Sequence, residues 1–126
     1  MDERVNARRK IMRFIKTYFF RFCWANRFSE PSQGYFSNHW LTCILIDPDK
    51  ASFSSEDLRK AFEQENIESR PLWKPMHLQP VFKDAPFYGA HRVSEKLFSQ
   101  GLCLPSGSNL SAEDLQRINI VIQQFA

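Results

Sequence analysis

The side chains best suited to chemistry are concentrated in one proline-rich stretch, residues 68–80 (ESRPLWKPMHLQP). Polar and aromatic groups crowd between its prolines: Arg70, Trp73, Lys74, His77 and Gln79. Binding sites are commonly built from polar groups held on a stiffened loop by a rigid scaffold. The stretch is therefore the candidate site. The alternative, an irregular loop that proline merely rigidifies, leaves this concentration of side chains unexplained.

Other familiar catalytic and metal sites have no signature in the sequence. The histidines His39, His77 and His91 lack metal-ligand spacing relative to each other or to cysteine. The four glycines do not cluster into a phosphate-binding loop. Nothing marks a Cys–His nucleophile pair. We predict no metal site and no complete catalytic site.

The cysteines Cys23, Cys43 and Cys103 are odd in number and widely spaced, which fits neither a disulfide framework nor a zinc site. Cys43 and Cys103 lie in apolar runs and are predicted to be buried free thiols. The apolar run at residues 11–24 is too short and too charged to span a bilayer, and no signal peptide is visible. These features favour a reducing, cytoplasmic setting.

The length of 126 residues suits one domain, and the net charge of +3 is unevenly spread. Residues 1–28 contain eight basic and two acidic side chains. Such a segment is either a solvated or interface face, or a surface for anionic membranes or nucleic acid. No nucleic-acid-binding motif accompanies it.

Short elements alternate along the chain. Helical spacing of apolar residues predicts a helix over residues 2–22, and WLTCILI predicts a buried strand over residues 40–46. Ser54-x-x-Asp57 predicts a helix start, with the helix ending near Asn66, and a strand is predicted over residues 67–73.

The last third of the chain repeats this alternation. A helix is predicted over residues 93–99 with Gly101 capping its end, then a strand over residues 102–104. Ser111-x-x-Asp114 predicts the start of a final helix. Two or three short strands and four helices indicate a two-layer α+β domain.

Four segments resemble the DegT/DnrJ/StrS family of sugar aminotransferases. ENIESRPLWKPMHLQPVF is similar to the family's C-terminal motif, in the version of enzymes for bacillosamine-type and pilin-glycan sugars. VSEKLFSQGLCLPSGSNLSAEDLQRI resembles its closing segment, NHWLTCILIDP the strand that opens its small domain, and DERVNARRKI the helix that joins its two domains. Residues 19–37 depart from the family pattern.

The resemblance implies the aspartate-aminotransferase-like fold, a homodimer in which each chain has a large and a small domain. The cofactor of the family is pyridoxal phosphate (PLP), held by a lysine of the large domain. None of the seven lysines here matches that residue, so residues 1–126 are expected to be the small C-terminal domain alone. That domain would lack the large domain and catalytic residues, and would bind no cofactor by itself.

The resemblance also assigns the candidate site. In the whole enzyme, His77, Arg70, Trp73 and Gln79 would face a nucleotide sugar or the cofactor pocket. Residues 70–80 are expected to be exposed, with Trp73 and Met76 anchoring them to the sheet. The missing partner would be the large domain or the second subunit.

The first helix has a wide apolar face. If part of it normally packs on the large domain, the isolated chain should self-associate through this face, which comprises Ile11, Phe14, Tyr18, Phe19 and Phe22. Two other interpretations stay open. The chain could be a non-enzymatic module whose basic aromatic helix binds a membrane or partner, or a truncated gene remnant.

Overall fold

The structure, a computed structural model, describes residues 1–19, 21–22, 25–27, 30 and 33–126. These residues form four helices and four strands. The helices are α1 (Asp2–Phe19), α2 (Ser55–Gln64), α3 (Val93–Gln100) and α4 (Ala112–Gln123). The strands are β1 (Ala25–Arg27), β2 (Thr42–Ile46), β3 (Arg70–Pro71) and β4 (Gly101–Leu104). Two 3-10 turns, Met76–Leu78 and Pro80–Phe82, lie in the proline-rich loop.

The strands form one sheet in the order β1-β2-β4-β3, and each neighbouring pair is antiparallel. β2 and β4 occupy the centre, which fits their apolar sequences. The edge strand β3 is only two residues long because Pro71 has no N–H to donate and is confined to an edge. The predicted strand over residues 67–73 was therefore too long. β1 was missed, since its sequence Ala-Asn-Arg carries no strand signal.

The core lies on one face of the sheet. Along β2 every second residue is buried, so that Ile44 and Ile46 point toward the helices. Three helices cover this face. α1 contributes Ile15 and Phe19, α2 contributes Leu58 and Phe62, and α4 contributes Ile118, Val121 and Ile122.

Two of the helices begin at the capping boxes that the sequence predicted. Ser54 and Asp57 form a reciprocal capping box at α2, and Ser111 and Asp114 form another at α4. The end of α3 differs from its prediction. Gly101 has an extended backbone and opens β4, so it is not a left-handed cap. It is crowded instead, because a Cβ there would lie 2.1 Å from Leu72 Cδ1.

The predicted exposed face of α1 is not exposed. Ile11 is 4% exposed and Phe19 is 0% exposed, and both belong to the core. Phe14 and Phe22 are partly buried against the same core, and Tyr18 is half-buried beside Phe14. The prediction of self-association through this face was wrong in its premise, because α4 and the sheet cover the apolar side of α1 within the same chain. Phe20 and Cys23 lie outside the described residues.

Candidate functional site

Two tryptophans mark the candidate site. Trp40, just before β2, and Trp73, just after β3, have ring centroids 5.9 Å apart. They remain 58% and 65% exposed. Large aromatic side chains are costly to leave in water, so an exposed pair indicates a surface that contacts another group.

A cleft of about 710 Å³ lies on one side of the pair, and we call it the Arg70 cleft. Besides the tryptophans, it is lined by Arg70 and Arg117, with Glu68 and Asp114 balancing their charge. Arg70 is bound to Glu68, with Nε 2.7 Å from Oε1, and its side chain stays 76% exposed. Ser69 also lines this cleft, and its buried hydroxyl has no hydrogen-bond partner among the described residues.

The floor of the Arg70 cleft is held by Ser106. This buried serine accepts a hydrogen bond from the Thr42 N–H (2.8 Å) and donates one to the Leu104 carbonyl (2.9 Å). The loop after β4 is thereby tied to the start of β2. The floor of the cleft is consequently part of the rigid sheet.

A second cleft of about 640 Å³, the Phe36 cleft, lies on the other side of the tryptophan pair. Its lining is mainly apolar: Tyr35, Phe36, Leu72, Leu97 and Phe98. Cys43, whose side chain points away from the core, also contributes. α3 therefore forms one wall, and the segment before β2 forms another.

Arg9 holds that second wall in place. Its guanidinium lies 3.3 Å from the Glu30 carboxylate, donates to the Ser37 carbonyl, and sits 4.3 Å from the centroid of the Phe36 ring. The hydrogen bond from the Ser37 N–H, and next the bond from Arg9, lower the pKa of Glu30. Burial, followed by the charge of Arg9, lowers the pKa of His39.

His77 lies apart from both clefts. It sits in the first 3-10 turn, where Nε2 is 2.9 Å from Oε1 of Glu95 on α3. Its ring stacks on Phe87 with centroids 3.9 Å apart. The bond with His77 is the largest cause lowering the pKa of Glu95, and Arg92 adds to it.

The structure thus divides the four predicted site residues. Arg70 and Trp73 meet at the Arg70 cleft. His77 and Gln79 line neither cleft, and the Gln79 amide reaches back to the Lys74 carbonyl at 3.4 Å. Sequence reasoning missed Trp40 and Glu95, although Trp40 lies in the quoted NHWLTCILIDP segment.

The predicted anchoring of the loop was wrong. Trp73 and Met76 are 65% and 59% exposed, whereas Leu72 and Pro75 are buried. Leu72 takes the inward position instead of Trp73, with its side chain packed over Gly101 of β4. Residues 70–80 as a whole are mostly exposed, as expected.

The lysines lie away from the two clefts. All seven lysines are exposed, and none lines either cleft in the described part of the chain. The described residues also contain no cluster of three or more potential metal ligands, and none of their helices is long and apolar enough to cross a membrane.

The sequence matches the profile of the DegT/DnrJ/EryC1/StrS aminotransferase family over residues 1–123. The chain belongs to this family. It is 40% identical over 121 residues to EpsN of Bacillus subtilis (strain 168), which is assigned as a pyridoxal phosphate-dependent aminotransferase. That alignment covers 94% of this chain and 30% of EpsN. A GDP-perosamine synthase of Escherichia coli O157:H7 is 31% identical over 96 residues, covering 76% of this chain and 25% of that enzyme.

Solved structures of family members have the same fold over this region. A DegT/DnrJ/EryC1/StrS aminotransferase from Brucella abortus superposes with a TM-score of 0.73 at 29% identity, covering 96% of this chain and 31% of that one. The aminotransferase TlmJ from Streptoalloteichus hindustanus gives a TM-score of 0.80 at 16% identity, which shows the fold alone. The chain therefore spans about 30% of the length of the relatives it matches.

Proposed function

We propose that this chain is the small two-layer C-terminal domain of a fold type I, PLP-dependent sugar aminotransferase. The whole enzyme would convert a keto nucleotide sugar into an amino sugar, using an amino-acid donor, in the cytoplasm. The observation that carries the proposal is the family match over nearly the whole chain. The relatives are about three times longer, which leaves room in them for a large domain that this chain does not contain.

An exposed aromatic surface supports the proposal that this chain normally packs against another domain or subunit. Trp40, Trp73, Tyr35 and Phe36 are each more than half exposed on one side of the sheet. Contiguous exposed apolar surface marks interaction sites in folded proteins. We assign this surface to the large domain of the same enzyme or to its second subunit.

Within such an enzyme, Arg70 and Trp73 would contribute to the substrate opening. A guanidinium binds phosphate oxygens through paired hydrogen bonds, and the exposed indole offers a flat apolar face for a sugar or base. Arg70 would have to exchange Glu68 for the ligand. The Arg70–Glu68 ion pair is exposed and therefore contributes little stability, so that breaking it to bind a ligand costs little free energy.

His77 and Gln79 would act from the neighbouring turn. With Nε2 held by Glu95, only Nδ1 of His77 is available to a ligand or to the missing domain. Catalysis itself would depend on the lysine of the large domain, and the isolated chain would be inactive. The sugar is proposed to be of the bacillosamine or pilin-glycan type, for surface glycan or glycoprotein synthesis.

A chimera tests this proposal. The matching 96-residue segment of the Escherichia coli GDP-perosamine synthase is replaced by the corresponding part of this chain, and PLP binding and GDP-perosamine formation are measured. We expect stoichiometric PLP binding and measurable amino transfer, with the truncated host inactive. A matched chimera carrying Arg70→Ala and Trp73→Ala should bind PLP equally but show a raised KM for the sugar. A folded chimera that binds no PLP would contradict the proposal.

No observation favours the membrane-binding alternative, because the apolar residues of α1 that it would use are packed in the core.

A further inference from the structure

Two of the cysteines lie side by side on the central strands. Cys43 of β2 and Cys103 of β4 are register partners, and their sulfur atoms are 3.6 Å apart. Directly opposed residues in antiparallel strands have Cα atoms about 4.5 or 5.5 Å apart. Both separations fall within the range of about 4.4–6.8 Å that a disulfide spans. Only side-chain rotation is needed to bring the sulfurs to bonding distance.

The pair lies between the two clefts, with Cys43 half-buried and Cys103 7% exposed. Cys103 lines the Arg70 cleft and Cys43 lines the Phe36 cleft, while Trp40 and Trp73 line both. The cysteines point away from the core residues Ile44 and Leu102, so a bond between them would leave the core packing unchanged.

We propose that Cys43 and Cys103 are a thiol pair that exchanges with small disulfides and forms a reversible cross-strand disulfide beneath the tryptophan pair. This inference is independent of the aminotransferase assignment, because it rests only on strand register and sulfur distance.

The exchange proceeds in two balanced steps. The Cys103 thiolate attacks one sulfur of an oxidised disulfide such as glutathione disulfide, whose S–S bond breaks and releases one thiol. The Cys43 sulfur then attacks the Cys103 sulfur of the mixed disulfide, forming the protein bond and releasing the second thiol. Two protein thiols are oxidised, one disulfide is reduced, and the two protein protons end on the released thiols.

Local chemistry sets the order and the rate. Burial raises the pKa of Cys43 to about 12, and the adjacent Cys103 sulfur contributes to this rise. Burial also raises the pKa of Cys103, but its hydrogen bond with Cys43 opposes the rise. Cys103 is therefore the first to ionise. Because the thiolate attacks, the oxidation rate should increase as the pH rises.

The experiment uses the full chain with Cys23→Ser, so that the third cysteine cannot react. The protein is equilibrated in mixtures of reduced and oxidised glutathione, then alkylated and analysed by intact mass and peptide mapping. We expect the loss of two hydrogens, no free thiol, and a linked peptide pair containing Cys43 and Cys103. Dithiothreitol should restore both thiols.

Cys43→Ser in the same background should stop at the first step, with one glutathionyl group on Cys103. Near-UV circular dichroism verifies that this variant is folded. The chain that carries only Cys23→Ser keeps both Cys43 and Cys103 and serves as the reference. Two thiols that stay free in excess oxidised glutathione, or two separate glutathionyl groups without a link, would overturn the proposal. An adduct absent from Cys103 in folded Cys43→Ser would overturn it as well.

Discussion

Glu95 of α3 holds the imidazole of His77 from eighteen residues away, with Oε1 and Nε2 at 2.9 Å. The His77 side chain is 17% exposed, and its ring also rests on Phe87. The contact joins the proline-rich loop to α3. It makes His77 a structural element of this chain as well as a candidate site residue.

His77→Ala should therefore destabilise the chain by about 1–2 kcal/mol, because it removes a half-buried hydrogen bond to a charged group and a ring contact. Urea denaturation followed by circular dichroism measures the change. His91→Ala, at an exposed histidine of the same region, is the matched control and should change the free energy of unfolding by less than about 0.5 kcal/mol. Equal effects of the two substitutions would contradict the role of the Glu95 contact.

Trp73→Ala should have a smaller effect, below about 1 kcal/mol, because the indole is largely exposed and loses mainly its contact with Trp40. The sequence had instead predicted that Trp73 anchors the loop to the sheet. Leu72→Ala, one residue earlier and buried, is the control and should cost about 2–4 kcal/mol. A larger loss from Trp73→Ala than from Leu72→Ala would show that the exposed indole contributes to the fold.

Glu95→Gln should reduce the loss of folding stability that occurs as the pH falls from 7 to 3. The pKa of Glu95 is lowered in the folded chain, so its stabilising contribution is complete above the ordinary carboxyl value of 4.5 and is lost as pH falls below it. Thermal midpoints between pH 7 and pH 3 measure this. The variant should be less stable than the wild type at pH 7, and the difference should shrink toward pH 3. A difference that stays constant with pH would exclude the linkage.

Phe19→Ala should lower the free energy of unfolding by about 3–5 kcal/mol, because Phe19, at the end of α1, is fully buried in the core. Denaturation midpoints give the change, and Lys16→Ala on the exposed side of the same helix is the control. Sedimentation of both variants distinguishes this outcome from the self-association through α1 that the sequence predicted. If Phe19→Ala instead dissociates an oligomer without lowering stability, the helix face is an interface after all.

Added PLP should give no stoichiometric covalent adduct with one particular lysine of this chain, because all seven lysines are exposed and lie outside both clefts. Borohydride trapping followed by peptide mapping measures the distribution of label. We expect weak labelling spread over several lysines. Concentration of the label on Lys74, abolished by Lys74→Arg, would reverse this conclusion.

Several local features were predictable from neighbouring residues alone. The capping boxes at Ser54 and Ser111 required only a serine and an aspartate three residues apart, and β2 followed from a short apolar run. The family motifs were likewise contiguous, so the aminotransferase family could be inferred before the fold was known.

The composition of the site depended on contacts distant in sequence. Trp40 meets Trp73 because β2 and β3 flank β4, and Cys43 meets Cys103 although the two are 60 positions apart in the sequence. The apolar width of α1 was visible in the sequence, but whether solvent, another chain or α4 covers it was not. Periodicity specifies which side of an element is apolar, whereas only tertiary packing specifies what that side touches. The sequence by itself therefore determined the helices, the central strands and the family. Tertiary structure decided which side chains share a cleft, because strand order and register bring together residues that local pattern cannot relate.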